Sequence, residues 1–230
     1  MKYWLICAFL ITHISFKADE VVVYATESIP YHYIDPDTGK IAGEDADYVA
    51  ELFRRANIPV RFEVFNWKRA LRSLESKQDS FIFPLTRTPD REDKYLWIAP
   101  VRTIEFAIFG TRELTKDAGK SNDKIYCVEG TYHCDVINRF DIPNCEIVTI
   151  TPDSGGKLIE LAAKGRIDFF ISEVDKAELY IEAFDQPGKD ILEVTTARLS
   201  YSDYLATSLD TSTSLITKLR DELNSGANRH

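Results

Sequence analysis

The chain has 230 residues and carries 28 Lys and Arg against 37 Asp and Glu, a formal net charge of -9. That acidic balance repels phosphate backbones and excludes nucleic acid as a partner. The length suffices for one large core or for two smaller ones.

Residues 1–18 read as a secretory signal, with Lys2 as the positive start and Trp4-Leu5-Ile6-Cys7-Ala8-Phe9-Leu10-Ile11 as an apolar run too short to span a bilayer. Cleavage is expected after Ala18. Loss of Lys2 and Lys17, with no acidic residue lost, takes the charge from -9 to -11. No later segment is apolar for long enough to cross a membrane, so an exported soluble protein is expected.

Val21 to Thr26 is a buried strand, and Asp35-Pro36-Asp37-Thr38-Gly39-Lys40 is turn chemistry. Asp45 and Asp47 open a helix with Val49, Leu52, Phe53 and Ala56 on one stripe, ended by Asn57-Ile58-Pro59. Val60 to Phe65 alternates as a strand, and Asn66 caps a second helix bearing Trp67, Ala70, Leu71 and Leu74. Phe81-Ile82-Phe83 is the next strand. It delivers Pro84-Leu85-Thr86-Arg87-Thr88-Pro89-Asp90-Arg91, which packs two arginines and two threonine hydroxyls into one turn. Guanidinium meets a carboxylate with two parallel charge-assisted hydrogen bonds, and hydroxyls can satisfy the remaining lone pairs. The plainer reading is a surface loop in which Arg91 pairs with Asp90, Glu92 or Asp93.

A second block follows the apolar strand Thr103 to Gly110. Lys124 to Val128 is a strand, Thr131 to Phe140 a helix and Glu146 to Ile150 a strand. Asp153 caps a helix stopped by Gly165, Ile167 to Ser172 is a strand, and Glu173 begins another helix. Tyr204 to Leu209 and a final helix with Leu215, Ile216, Leu219 and Leu223 complete the chain. The alternation predicts an α/β protein of two lobes with mixed, mostly parallel sheets. Of the cysteines left after the signal, Cys127, Cys134 and Cys145, two are expected to pair. Cys134 with Cys145 is preferred because Asp141-Ile142-Pro143-Asn144 forms a turn between them. A thiol nucleophile, or a metal site with His133, is the functional alternative, but the spacing fits no standard zinc pattern.

The ordered set Tyr24-Ala25-Thr26, Pro30-Tyr31, Gly43 with Asp45 and Asp47, Trp67-Lys68-Arg69-Ala70-Leu71 with Leu74, Thr86 with Thr88-Pro89-Asp90-Arg91, and Gly165-Arg166-Ile167-Asp168 resembles the family 3 extracellular solute-binding proteins. These include the amino-acid receptors of ABC transporters. The resemblance implies a type II periplasmic binding fold, with lobe 1 made of residues 19–107 and 197–230, lobe 2 of residues 108–196, and two hinge strands between. It also implies that Arg91 clamps a ligand carboxylate, Thr86 adds a hydroxyl, the Pro84 carbonyl accepts from an amino group and Glu173 pairs with the ammonium. Tyr31 and Trp67 would wall the pocket, while Tyr132 and His133 would approach from the second lobe.

Simpler roles stand beside these. Trp67 shares a stripe with helix core residues, Glu173 suits a helix start, and His133 suits a cap or the surface. Trp97 is read as core or hinge packing. The function implied is periplasmic capture of a small amino acid or organic acid by a monomer, without cofactor or metal, for an ABC permease or a sensor. The alternatives are a cyclohexadienyl-dehydratase-like enzyme with Glu173 as acid, or the soluble sensory module of a membrane receptor.

Overall fold

The computed structural model describes residues 20–114, 123–129, 131–140, 142, 146–150, 156–184, 190–195 and 197–227. The expected signal at residues 1–18, the cap at Asp153 and Cys145 lie outside the described residues.

Strand β1 (Val21–Ala25) is buried along its whole length. Val21, Val23 and Ala25 enter one core with Phe53, Phe81 and Phe83, while Val22 and Tyr24 enter another with Leu74, Ile82 and Leu85. A strand covered on both faces needs this unbroken apolar run. After the short hairpin β2 (Tyr33–Ile34) and β3 (Ile41–Ala42) comes helix α1 (Glu44–Arg55), which buries Val49, Leu52 and Phe53. Gly43 starts that helix with φ 103°, and a Cβ there would stand 2.3 Å from the Tyr31 carbonyl oxygen. Only glycine fits that approach without strain.

Strand β4 (Val60–Val64) runs parallel to β1 on one side, and β5 (Ser80–Thr86) runs parallel to it on the other. Between them lies α2 (Trp67–Ser76), whose cap Asn66 accepts from the Arg69 amide at 3.0 Å, as its sequence predicts.

Strand β6 (Leu96–Gly110) has 15 residues, about 50 Å of extended chain at ~3.3 Å per residue. It begins well before the expected Thr103, because its first half pairs with β11 (Leu199–Thr207), which itself begins before the expected Tyr204. Beyond β6 lie β7 (Lys124–Val128), β8 (Glu146–Ile150) and β9 (Phe169–Glu173), with β10 (Leu192–Glu193) paired to the end of β6. Among the described residues the strand order is β4-β1-β5-β11-β6-β9-β7-β8. Both outer arms are parallel. The central strands β11 and β6 run antiparallel to each other and to their neighbours, so they join two arms that each have cores on both faces.

Helix α3 (His133–Ile137) is shorter than the expected 131–140 span, ending in turns from Asn138. Helices α4 (Lys157–Ala163), α5 (Val174–Ala183) and α6 (Thr213–Ala227) follow. Gly165, at φ 66°, stops α4 as expected.

The preferred Cys134–Cys145 bridge is corrected: Cys134 is bonded to Cys127. The chain reverses just after β7, which brings the first turn of α3 back over the strand and leaves the two Cα atoms 5.4 Å apart, well within disulfide reach.

Candidate functional site

Strand β5 ends at Thr86, and the short 3-10 turn Pro89–Arg91 follows. The two arginines of this loop part company. Arg87 ion-pairs with Glu92 and lies against Trp97 and Tyr204, so the expectation of a two-arginine anion loop is corrected to one arginine.

Arg91 turns inward. It donates to the Thr86 carbonyl at 3.2 Å and lies 5.6 Å from the Trp67 ring and 5.7 Å from the Tyr132 ring. None of Asp90, Glu92 or Asp93 forms an ion pair with it, and among the described residues it has no carboxylate within 4.0 Å. Burial lowers its pKa from the usual guanidinium value, partly opposed by Tyr95, Tyr132, Asp135 and Asp203. A cation held in an aromatic collar, poorly solvated and without a counter-ion, is disposed to take an anion.

A row of polar side chains crosses the central strands beside it. Asp203 on β11 is the register partner of Thr86 on β5 and of Arg102 on β6. Cross-strand partners share a face of the sheet, so the three meet. The Thr86 hydroxyl donates to Asp203 Oδ1 at 2.5 Å, and Arg102 Nε lies 3.8 Å from Asp203 Oδ2.

Arg102 is the centre of the cluster. Its Nη2 donates to Glu173 Oε2 at 2.6 Å, its Nε lies 3.7 Å from Asp45 Oδ2, and its guanidinium covers the Tyr31 ring at 3.8 Å. Asp45 also meets His32 Nδ1 at 3.0 Å. Glu173 further accepts from Lys176 Nζ at 2.8 Å and lies 3.9 Å from His133 Nε2. Burial alone would raise the Glu173 pKa; Lys176, His133 and Arg102 outweigh it and hold the carboxyl below its ordinary value. Asp203 goes the other way. Burial, then the Glu173 charge, push it up to about 6 against the pull of Thr86, Arg102 and Lys176.

His133 opens α3 and is driven down to about 4 by burial, so its imidazole is neutral at pH 7. Tyr132, just before it, packs on Phe106, His133 and Tyr201. Its hydroxyl is raised well above its usual pKa by burial and by Asp203 and Glu173, and it therefore remains a donor at neutral pH.

Of the residues expected from sequence, Thr86, Arg91, Tyr31, Trp67, Tyr132, His133 and Glu173 thus stand in or beside one cluster; Pro84 lies two residues before Thr86 on β5 and is partly buried. Trp67 serves two surroundings, packing on the Val22 and Leu74 core while facing Arg91. Trp97 packs against Tyr95 and Tyr204 on the same core and donates its indole N–H to the Glu92 carbonyl. Among the described residues no group of three or more His, Cys, Asp or Glu side chains is arranged to hold a metal ion.

Comparison with known proteins turns on the half of the chain that carries Arg91 and Arg102. Residues 21–126 match the bacterial extracellular solute-binding proteins, family 3. That match takes in a little under half of the chain. A stretch of 83 residues is 32% identical to the L-cystine-binding protein TcyA of Bacillus subtilis, covering 35% of this chain and only 31% of that protein.

Solved structures align over far more of the molecule. The arginine-, lysine-, histidine-binding protein ArtJ of Geobacillus stearothermophilus superposes with TM-score 0.71 at 18% identity, over 91% of this chain and 90% of that one. A histidine kinase sensor domain with similarity to periplasmic binding proteins gives 0.69 at 17% identity, over 92% and 91% of the two chains. The ancestral amino acid-binding protein AncCDT-1, a precursor of cyclohexadienyl dehydratase, gives 0.68 at 19%, over 91% and 90%. At such identities the likeness is one of fold, and it establishes the type II periplasmic binding architecture.

The sequence reading missed Arg102, Asp203, Lys176 and His32 as members of the cluster, and gave Asp45 no part in it. A signal existed for two of them. Arg102 and Asp203 are charges inside otherwise apolar or aromatic strand runs, Ala99-Pro100-Val101-Arg102 and Asp203-Tyr204-Leu205-Ala206. A charge on a covered strand face requires a partner.

Proposed function

We propose that the chain is an exported binding protein that captures a small carboxylate-bearing metabolite, an amino acid or a related organic acid. Capture occurs between lobe 1 (residues 19–107 and 197–230) and lobe 2 (residues 108–196). The observation that carries this reading is Arg91: largely buried, collared by Trp67 and Tyr132, fixed by the Thr86 carbonyl, and without a carboxylate partner among the described residues. The family 3 match over residues 21–126 supports the same class of ligand.

In this reading Arg91 and Thr86 meet the ligand on lobe 1, and closure brings Tyr132, His133 and Glu173 across the cleft. Because only the closed form makes both sets of contacts, ligand raises its population. In this reading Tyr31 reports closure, because its hydroxyl donates to Asp175, a residue assigned here to lobe 2, at 3.3 Å. An ABC permease or a membrane sensor then reads the closed form. A dehydratase role for Glu173 is disfavoured, because the surrounding cations keep it ionised at neutral pH and an ionised carboxylate cannot act as general acid.

The test is a thermal-shift screen of the chain lacking residues 1–18 against amino acids and small organic acids. Binding to the folded state raises the melting temperature by linkage. A rise with at least one carboxylate, abolished in Arg91→Ala, is expected; a rise that survives Arg91→Ala unchanged refutes the reading.

A further inference from the structure

We infer that Asp203, rather than Glu173, is the carboxylate that takes a ligand ammonium, so that the cleft selects α-amino acids over the same acids lacking the amino group. The inference rests on the carboxylate-capture reading above and narrows its ligand class. An α-amino acid carries both of its charges on one carbon. Its site therefore needs an unpaired cation and a carboxylate oxygen without a donor, set close together.

Thr86 brings the two together. Its carbonyl accepts from Arg91 at 3.2 Å and its hydroxyl donates to Asp203 Oδ1 at 2.5 Å, so a single residue of β5 joins the opposite charges. The Asp203 charge is felt at Arg91, where it opposes the fall in pKa that burial causes.

The second oxygen of Asp203 is the one left open. Among the described residues Oδ2 accepts no hydrogen bond, and Arg102 Nε stands 3.8 Å away, too far to donate. That buried Nε has no hydrogen-bond partner of its own. The Asp203 side chain is only 5% exposed, and an acceptor buried in this state is explained by a donor that arrives with the ligand. Glu173 differs, since both of its oxygens already accept, Oε2 from Arg102 at 2.6 Å and Oε1 from Lys176 at 2.8 Å.

Charge balance points the same way. Three carboxylates, Asp45, Glu173 and Asp203, are gathered around two cations, Arg102 and Lys176, while burial keeps the His32 and His133 imidazoles neutral at pH 7. The cluster lacks one positive charge, and Arg91 lacks one negative charge. A zwitterion supplies both.

Isothermal titration of the chain lacking residues 1–18 tests this with matched pairs: leucine with 4-methylpentanoate, phenylalanine with 3-phenylpropanoate, glutamate with glutarate, and arginine with 5-guanidinopentanoate. In the best-binding pair the amino acid is expected to bind at least about tenfold tighter. An acid that binds as tightly without its amino group overturns the inference and leaves carboxylate capture standing. Binding by no member of any pair overturns both. Asp203→Asn keeps an acceptor for Thr86 but loses the charge, and should shrink the ratio within the pair by about tenfold or more, with Glu173→Gln shrinking it less. The reverse order returns the ammonium to Glu173 and overturns the assignment.

A pH series on the parent gives a second readout. The Asp203 carboxyl, pushed up to about 6, faces Thr86 from β5, Arg102 from β6, Glu173 from β9, Lys176 from α5 and Tyr132 from beside α3. Amino-acid affinity should fall about tenfold from pH 7 to pH 5 as that carboxyl takes a proton, and the fall should vanish in Asp203→Asn. An affinity that is flat over this range, or a fall that persists in Asp203→Asn, overturns the inference.

Discussion

Replacing Asp203 by Asn gives the sharpest view of what the central polar row costs the fold. The carboxyl is 4% exposed and is pushed up to about 6 from 3.8, by burial first and by the Glu173 charge second. A carboxyl whose folded pKa is raised lowers stability wherever it is ionised. The penalty is absent below about pH 3.8, grows as the unfolded chain ionises more readily than the folded one, and is complete above about pH 6. A carboxyl pKa raised from 3.8 to about 6 corresponds to a penalty of roughly 3 kcal/mol.

Asn keeps a carbonyl able to accept the Thr86 hydroxyl but cannot ionise. Any constant difference between Asn and a neutral carboxyl beside Arg102 cancels when the two proteins are compared across pH. The expected result is that the stability of Asp203→Asn minus that of the parent increases by about 2–3 kcal/mol between pH 4 and pH 8, read from urea unfolding at each pH. In a Glu173→Gln background the rise should shrink and its midpoint move to lower pH, because one cause of the shift is gone. A difference that is flat with pH, or that falls as pH rises, refutes the assignment of Asp203 as a buried, unwillingly ionised acid.

Four further outcomes follow from the same geometry. Arg91→Lys retains charge but loses the planar fork, so affinity for the captured carboxylate should drop about 10- to 100-fold by titration calorimetry. Gly43→Ala should destabilise the fold by roughly 2 kcal/mol or more in urea unfolding, since the new Cβ would meet the Tyr31 carbonyl at 2.3 Å in a φ 103° conformation. Cys134→Ser opens a loop with a sequence separation of 7 that carries Tyr132 and His133; it should cost about 2 kcal/mol and weaken ligand binding together, whereas loss of stability with unchanged binding would show the bridge to be remote from the site. His133 is depressed to about 4, so the unfolded chain takes its proton first and stability should fall as pH drops from 6.5 toward 4. The side chain keeps 17% exposure, so a loss of about 1–3 kcal/mol is expected, absent in His133→Gln.

Periodicity carried most of the architecture because the strands are covered on both faces and the helices on one. Lys124 to Val128 and Glu146 to Ile150 could be bounded from sequence, and the strand expected over Val21 to Thr26 ends one residue earlier, at Ala25, since turn residues or charges flank each apolar run. Asn66 and Gly165 announced helix ends by local chemistry that long-range contacts do not alter. The first half of β6 had no such signature: Leu96 to Val101 contains Pro100 and follows a charged turn, and it becomes a strand by pairing with β11, about a hundred residues later in the chain. The bridge from Cys127 went unread for a related reason, because it depends on the chain reversal after β7 rather than on any turn-forming sequence between Cys127 and Cys134.

The site divides along the same line. Arg91 was legible because its loop is local, a strand end followed by hydroxyls and guanidinium within a few residues. Arg102, which reorganises the charges around Glu173, was not, because its partners Asp45, Glu173 and Asp203 come from three other elements. Its register with Asp203 also sits directly beside a bulge in the β11 and β6 pairing. A bulge re-aims side chains on the strand that carries it, so alternation counted from sequence loses the face of every residue beyond it. The sequence expectation of Glu173 as an ammonium partner left out Arg102 and Lys176, which donate to its two oxygens. What a buried charge can offer a ligand is set by the partners it already has, and those partners are long-range here. The charge arrangement around Glu173 therefore resides in the strand pairing of β6 with β11, as much as in the element that carries Glu173 itself.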